Sequence, residues 1–267
     1  MVIENIMIEI TNDCNRKCPI CEANITKRPI KHLSEQNLYD IISILTVHGV
    51  KSISFTGGEP LLRWEQLTNV LKFCQEKSIE TRLYTNGILL TYERILTLSK
   101  ILNDIVVSYD SHDRAINLQI RNDLFFNNVK ENIRTLSKTE INVFVISLCS
   151  AININDIFKN VNFINTTNVK GWMVQQFIPN GLGELYKSQF EISKKEFEDK
   201  ILELKSIIKV PVLSYAYSNE DTKRVFINCE GNFIDYRTNE NLGSAMHEST
   251  IKKIISSNLY HNKKRKI

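Results

Sequence analysis

Three cysteines lie within eight residues, Cys14-Asn-Arg-Lys-Cys18-Pro-Ile-Cys21. The spacing, C-x3-C-x2-C, places three thiolates on one loop. Three protein ligands leave a metal centre one position short of closure, and an open position is where chemistry happens. A loop of this length can wrap three corners of a cubane iron–sulfur cluster. The same residues also suit half of a zinc site completed by Cys74, Cys149, Cys229 or one of five histidines, or free loop thiols.

A second constellation follows a strand-like run, Lys51-Ser-Ile-Ser-Phe-Thr-Gly57-Gly58-Glu59-Pro60. Glycine permits close backbone approach, and proline ends a strand ladder. A carboxylate at a strand end of a parallel α/β protein lies where ligands bind. Alone, the run equally describes an ordinary strand-to-helix turn.

Together the two constellations resemble the radical S-adenosylmethionine (radical SAM) superfamily. Cys14, Cys18 and Cys21 match its cluster triplet, and Gly57, Gly58, Glu59 and Pro60 match its G-G-E-P motif in order and separation. Further along, Thr85-Asn86-Gly87 is similar to its third-strand T-N-G, and Val106-Val-Ser108-Tyr-Asp110 to its fourth-strand V-S-L-D. Ile120-Arg121 occupies the place of its I-R pair, and Pro179-Asn-Gly181 resembles its P-x-G turn. The resemblance covers roughly residues 5–185. Two departures, Ile20 before the third cysteine and Tyr109 for the V-S-L-D leucine, remove no ligand.

The resemblance implies that Cys14, Cys18 and Cys21 are the catalytic metal ligands of a [4Fe-4S] cluster, and that S-adenosyl-L-methionine (SAM) takes the open iron. It implies that Glu59 accepts from the SAM ammonium, with Gly57, Gly58 and Pro60 shaping that approach. Ser108 and Arg121 would hold the SAM carboxylate or ribose, although Arg121 is equally compatible with an exposed helix start. Asn86 serves SAM or merely the turn before Gly87. Asn153 is expected to face SAM, and Ile178 and Gly181 to border adenine. Tyr109, expected to point into the barrel, is either a substrate contact or core; Cys229 is a core thiol or a substrate or redox contact. Cys74 and Cys149 read as core.

The elements that must position these residues alternate. Apolar strand-like runs near 6–10, 53–55, 81–84, 105–108, 141–146 and 172–178 are separated by amphipathic segments. Ser34 and Thr91 are placed as helix caps, with Leu38, Ile41, Ile42 and Leu45 on one face and Ile95, Leu98 and Leu102 on another. Helices are expected near 125–136 and 156–164. This rhythm predicts an α/β fold with a parallel sheet, and the resemblance implies a partial (βα)6 barrel over residues 1–185. Residues 186–267 are expected to form a small α+β C-terminal extension that closes the barrel mouth. There Ser193-Lys-Lys-Glu196 is a capping box, short strands follow at 212–217, 224–227 and 232–236, Glu230-Gly231 suggests a hairpin turn, and a helix is expected over 249–257. Only Cys229 falls in this stretch, so no auxiliary cluster is expected.

The 267 residues are 42% hydrophobic with net charge +4, enough for one large core. No run of 18 apolar residues and no secretion signal appear, so no membrane partner is expected, and a labile cluster loop fits a reducing cytoplasm. The basic end, residues 261–267, is a solvated tail or an anion contact; nucleic acid is not expected as a partner. The resemblance implies a low-potential electron donor, such as a flavodoxin or ferredoxin. For substrate it offers a peptide or small molecule first. A nucleotide comes second, because Asp110-Ser-His-Asp113 with Asn117, Ile120 and Arg121 is also similar to the viperin-like branch. A non-catalytic cluster-binding protein is a third reading.

Overall fold

The structure, a computed structural model, describes residues 3–21, 29–122, 126–215, 224–236 and 238–257. In chain order the elements are β1 (Asn5–Thr11), α1 (Glu35–Val47), β2 (Ser52–Gly57), α2 (Trp64–Glu76), β3 (Glu80–Thr85), α3 (Tyr92–Leu98), β4 (Asp104–Ser108), α4 (Arg114–Arg121), α5 (Phe126–Leu136) and β5 (Asn142–Cys149). Next come α6 (Asn160–Thr166), β6 (Gly171–Gln176), α7 (Lys187–Phe190), α8 (Lys194–Ile207), β7 (Val212–Tyr215), β8 (Val225–Ile227), β9 (Asn232–Asp235), β10 (Asn241–Ser244) and α9 (Glu248–Ser256).

One open sheet runs in the order β10-β9-β8-β1-β2-β3-β4-β5-β6-β7. All pairings from β8 across to β7 are parallel, and β8-β9-β10 is an antiparallel edge. The six expected strands therefore sit side by side. The segment beyond residue 185 adds β7 beside β6 and β8 beside β1, flanking the six strands on both sides. Such strands of three or four residues are too short to declare their pairing by periodicity.

Each parallel strand divides its residues between two faces. Ile6, Ile8 and Ile10 of β1, Ile53 and Phe55 of β2, Leu83 of β3, and Ile105 and Val107 of β4 are buried against the helices. The opposite face is narrower, with Val106, Phe144 and Met173 packed beside Tyr84 and Ile146. On this inner face Glu9, Thr56, Tyr84, Ser108, Ile146 and Gln175 remain half-buried, which maps an open interior near the carboxyl ends of the strands.

Local signals set the helix starts. Ser34 Oγ accepts from Asn37 N at 3.1 Å and Thr91 Oγ1 from Arg94 N at 3.3 Å. Ser193 and Glu196 complete the capping box. The helix expected through Leu102 ends at Leu98, but turns follow in which Leu102 N donates to Leu98 O at 2.9 Å, so Leu102 stays buried. Expected features at Phe125, at 216–217 and in the basic tail lie outside the described residues. No helix among the described residues is long and apolar enough to cross a membrane.

Candidate functional site

The loop carrying Cys14, Cys18 and Cys21 leaves the carboxyl end of β1 and is gripped from three directions. The first grip is the end of β2. Gly58 N donates to Thr11 O, and Glu59 N to Asp13 O, each at 2.7 Å. These approaches require glycine: a Cβ on Gly58 would stand 2.0 Å from Asp13 O, and one on Gly57, at φ +145°, 2.2 Å from Thr11 O. Pro60 then opens a single 3-10 turn, Pro60–Arg63, whose cap is Glu59.

Glu59 is fully buried. Its Oε1 accepts from Leu61 N at 3.0 Å and from Thr85 Oγ1 at 2.8 Å, and its Oε2 accepts from Asn86 N at 2.8 Å. Burial pushes this carboxyl above the ordinary range, opposed by those donors and by the charge of Arg16. One acceptor direction on Oε2 is not taken by these three bonds, which suits a further cationic donor.

The second grip comes from β3. Asn86 Nδ2 donates to Asn15 Oδ1 at 2.8 Å, while Asn86 Oδ1 accepts from Ile88 N at 3.0 Å. The asparagine thus makes both the turn, with Gly87 at φ +77°, and a strap to the cysteine loop. The third grip follows β6. Leu182 N donates to Cys21 O at 2.9 Å, directly after Gly181 at φ +60°. Ile178 O accepts from Asn180 N at 2.8 Å within the same turn.

The remaining named residues divide. Ser108 ends β4 on the inner face, half-buried. Arg121 closes α4 rather than starting a helix, and its guanidinium pairs with the buried Asp110, Nη2 standing 3.1 Å from Oδ1 and Nε contacting Oδ2. Asn153 is fully buried and its amide is taken by protein groups: its Oδ1 accepts from Ser150 N at 2.8 Å, and its Nδ2 donates to Leu148 O at 2.6 Å and Asp110 O at 3.0 Å. Its amide holds the ends of β4 and β5 together. Tyr109 takes the core alternative: it does not point into the barrel but packs on the outer side against Phe163, ring centroids 4.8 Å apart, because it follows inward-facing Ser108 by one residue. Cys74 and Cys149 are fully buried core thiols. Cys229 is 7% exposed, with Glu9, Glu230 and Lys31 close enough to bear on its thiol.

The cysteine loop fits an iron–sulfur cluster on three counts. Cys18 and Ile20 pack with Ile120, Leu148, Phe177 and Phe190, an apolar wall that keeps water away. Cys14 and Cys21 are half-buried, so this side of the loop meets accessible space. Burial pushes the Cys14 thiol up to about 11 and raises Cys18, while Arg16 opposes both and Arg121 opposes Cys18, so cationic charge waits where thiolates must form. Among the described residues no three His, Cys, Asp or Glu side chains converge as a single metal ion requires. A cubane binds each thiolate at a different iron, so its three ligands need not share one centre.

Asp110, Thr85 and Arg16 carry roles that the motifs alone did not assign. Thr85 and Asp110 lie inside matched runs, and Arg16 between two of the cysteines, so adjacency was the available signal.

A family model described as the radical SAM superfamily matches residues 8–164. An S-adenosylmethionine-dependent nucleotide dehydratase of Flammeovirga pacifica is 24% identical over 212 residues, 75% of this chain and 72% of the relative. A GTP 3',8-cyclase of Petrotoga mobilis is 25% identical over 217 residues, 79% and 67% of the two chains. A PqqA peptide cyclase of Bradyrhizobium diazoefficiens is 33% identical over 95 residues, 35% of this chain and 25% of the relative. Among solved structures, Streptococcus suis SuiB bound to precursor peptide SuiA superposes with a TM-score of 0.81 at 15% identity, covering 97% of this chain and 66% of that one. The likeness to SuiB is one of fold.

Proposed function

Because the chain belongs to the radical SAM superfamily, whose enzymes use a [4Fe-4S] cluster and SAM, we propose that it cleaves SAM reductively and abstracts hydrogen from a nucleotide or other small molecule. The observation that carries this reading is the cysteine loop held by the ends of β1, β2, β3 and β6, with Glu59 buried beside it. Bound there, the cluster and SAM would supply, given one electron from a donor, methionine and a 5′-deoxyadenosyl radical. The chain's own part is binding, orientation and exclusion of water. Cys14, Cys18 and Cys21 would hold three irons. Glu59 would receive the SAM ammonium on its remaining acceptor direction. Gly57 and Gly58 keep the loop close to β2, and Ile178 and Gly181 border it beyond β6. The half-buried inner-face residues Glu9, Thr56, Tyr84, Ser108 and Gln175 offer a polar lining for a substrate.

A nucleotide is favoured by the relatives that run along most of the chain, a nucleotide dehydratase and a GTP cyclase. It is favoured also by the run Asp110-Ser-His-Asp113 with Asn117, Ile120 and Arg121. A peptide is the second reading, supported by the shorter match to a peptide cyclase. We place the enzyme in the cytoplasm with a flavodoxin- or ferredoxin-type donor, on the need of its cluster for low potential and little oxygen.

The test uses reconstituted protein, SAM and dithionite under anaerobic conditions. Each nucleoside triphosphate is added in turn, and 5′-deoxyadenosine and new nucleotide species are followed by mass spectrometry. A nucleotide that raises 5′-deoxyadenosine formation and is itself altered supports the first reading. Turnover indifferent to every nucleotide counts against it and turns the search to peptides.

A further inference from the structure

We propose that a nucleotide substrate enters the interior base first: the base rests on an apolar floor that exposes Tyr84 and Ile146, and the phosphates point toward the mouth. The proposal rests on the nucleotide reading above and adds an orientation to it.

Three rows of inner-face side chains, set by strand register, carry the argument. The middle row is the floor. Tyr84, Val106 and Phe144 are neighbours across β3, β4 and β5, and Ile146 and Met173 are neighbours across β5 and β6. All five pack in one apolar cluster, in which Val106, Phe144 and Met173 are buried while Tyr84 and Ile146 stay half-buried. The surface left open therefore belongs to a tyrosine ring and a branched aliphatic chain. The row above lies two residues further along the chain, about 7 Å toward the carboxyl ends of the strands, and comprises Asn86, Ser108, Leu148 and Gln175. Two of these meet the cysteine loop, Asn86 through Asn15 and Leu148 in the apolar wall around Cys18. The floor thus lies one layer beneath the residues that hold the cluster loop.

The row below the floor is spent on itself. Arg82, Asp104 and Asn142 are neighbours across β3, β4 and β5. Arg82 Nε and Nη2 donate to Asp104 Oδ2 at 3.1 and 2.6 Å, and Asn142 Nδ2 donates to Asp104 Oδ1 at 3.0 Å. The guanidinium carbon also lies 5.3 Å from the centroid of the Phe144 ring. A second cation, Arg224 ahead of β8, bears on Tyr84 by charge and is itself engaged. Glu9, half-buried on the same inner face, adds a carboxylate. The charges of Arg82, Asp104, Arg224 and Glu9 cancel, so these groups offer no net positive charge to a phosphate chain, which loses its water at high cost without one. A base is flat and neutral. It gives up water readily against an apolar floor and presents its edge to the half-buried Thr56, Ser108 and Gln175.

The test measures binding by equilibrium dialysis to the anaerobically reconstituted protein loaded with SAM. The probes are the four ribonucleoside triphosphates, the matching nucleosides and inorganic triphosphate. The nucleoside of the preferred triphosphate is expected to bind within about tenfold of it, and inorganic triphosphate is expected not to compete. Ile146→Ala and Tyr84→Leu should each weaken nucleoside and triphosphate by the same factor, about tenfold, with SAM affinity unchanged. Competition by inorganic triphosphate without binding of the nucleoside overturns the proposal, as do variants that hold the nucleotide as tightly as wild type. The competition uses wild type alone, so it decides even where a substitution prevents cluster loading. A wild type that binds SAM but no nucleoside or nucleotide removes the nucleotide reading, and this proposal with it, before either variant is measured.

Discussion

Glu59, the acid proposed to receive the SAM ammonium, also holds the protein together. Its carboxylate receives Leu61 N, Thr85 Oγ1 and Asn86 N, and so joins the turn after β2 to the end of β3. Replacing it with alanine strands those three donors in a buried site. A cost of about 2–4 kcal/mol is expected, readable by urea unfolding of the apo protein. Glu59→Gln keeps the shape and should weaken SAM binding with a smaller loss of stability; equal SAM affinity in that variant would remove Glu59 from the cofactor. The core thiols offer a separate pH test. Burial takes Cys74 from 9.0 to about 12. Between those values the unfolded thiol ionises while the folded one keeps its proton, so the folded state binds more protons and stability falls as pH rises. Cys74→Ala should therefore lose less stability than wild type on going from pH 9 to pH 11. Parallel losses in the two proteins would contradict the assignment. Individual residue types were legible at this scale, but their partners were not. The strap from Asn86 to Asn15 spans 71 positions, and no local pattern announces it.

At the scale of elements, strand ends do the positioning. Four of them converge on one loop, and the closest approach is backbone to backbone at Gly58. Gly58→Ala must push its Cβ off Asp13 O, from 2.0 Å to an ordinary contact, which breaks the Glu59 N to Asp13 O bond. The variant should retain the far-UV spectrum of the sheet and helices yet bind substantially less iron on reconstitution. Full iron loading would show that the loop does not depend on this grip. The alternation of strands and helices through β6 was legible because apolar runs of strand length alternate with capped amphipathic segments. Ser34, Thr91 and Ser193 announced three helices by side-chain chemistry alone. Which strands pair across the chain was not legible. β8 lies beside β1 although more than 200 residues separate Met7 from its partner Phe226, and three residues carry no period that could say so. Asn153 misled for a related reason: its place after β5 suggested the cofactor, but its amide is consumed by the backbones of β4 and β5.

Over the whole molecule, an open parallel sheet puts its reactive loop, its buried acid and its half-buried inner face at one end. Ligands bind at the carboxyl ends of such sheets because the loops there are free to vary while the strands stay fixed. The central claim is that this end cleaves SAM. The most direct measurement is 5′-deoxyadenosine formation by the anaerobically reconstituted protein with SAM and dithionite, beside a Cys18→Ala variant treated identically. The account predicts 5′-deoxyadenosine and methionine from the wild type and neither from the variant. A wild type that carries a full cluster and binds SAM, yet yields no more 5′-deoxyadenosine than the variant across the nucleotides and peptides tried, would contradict it.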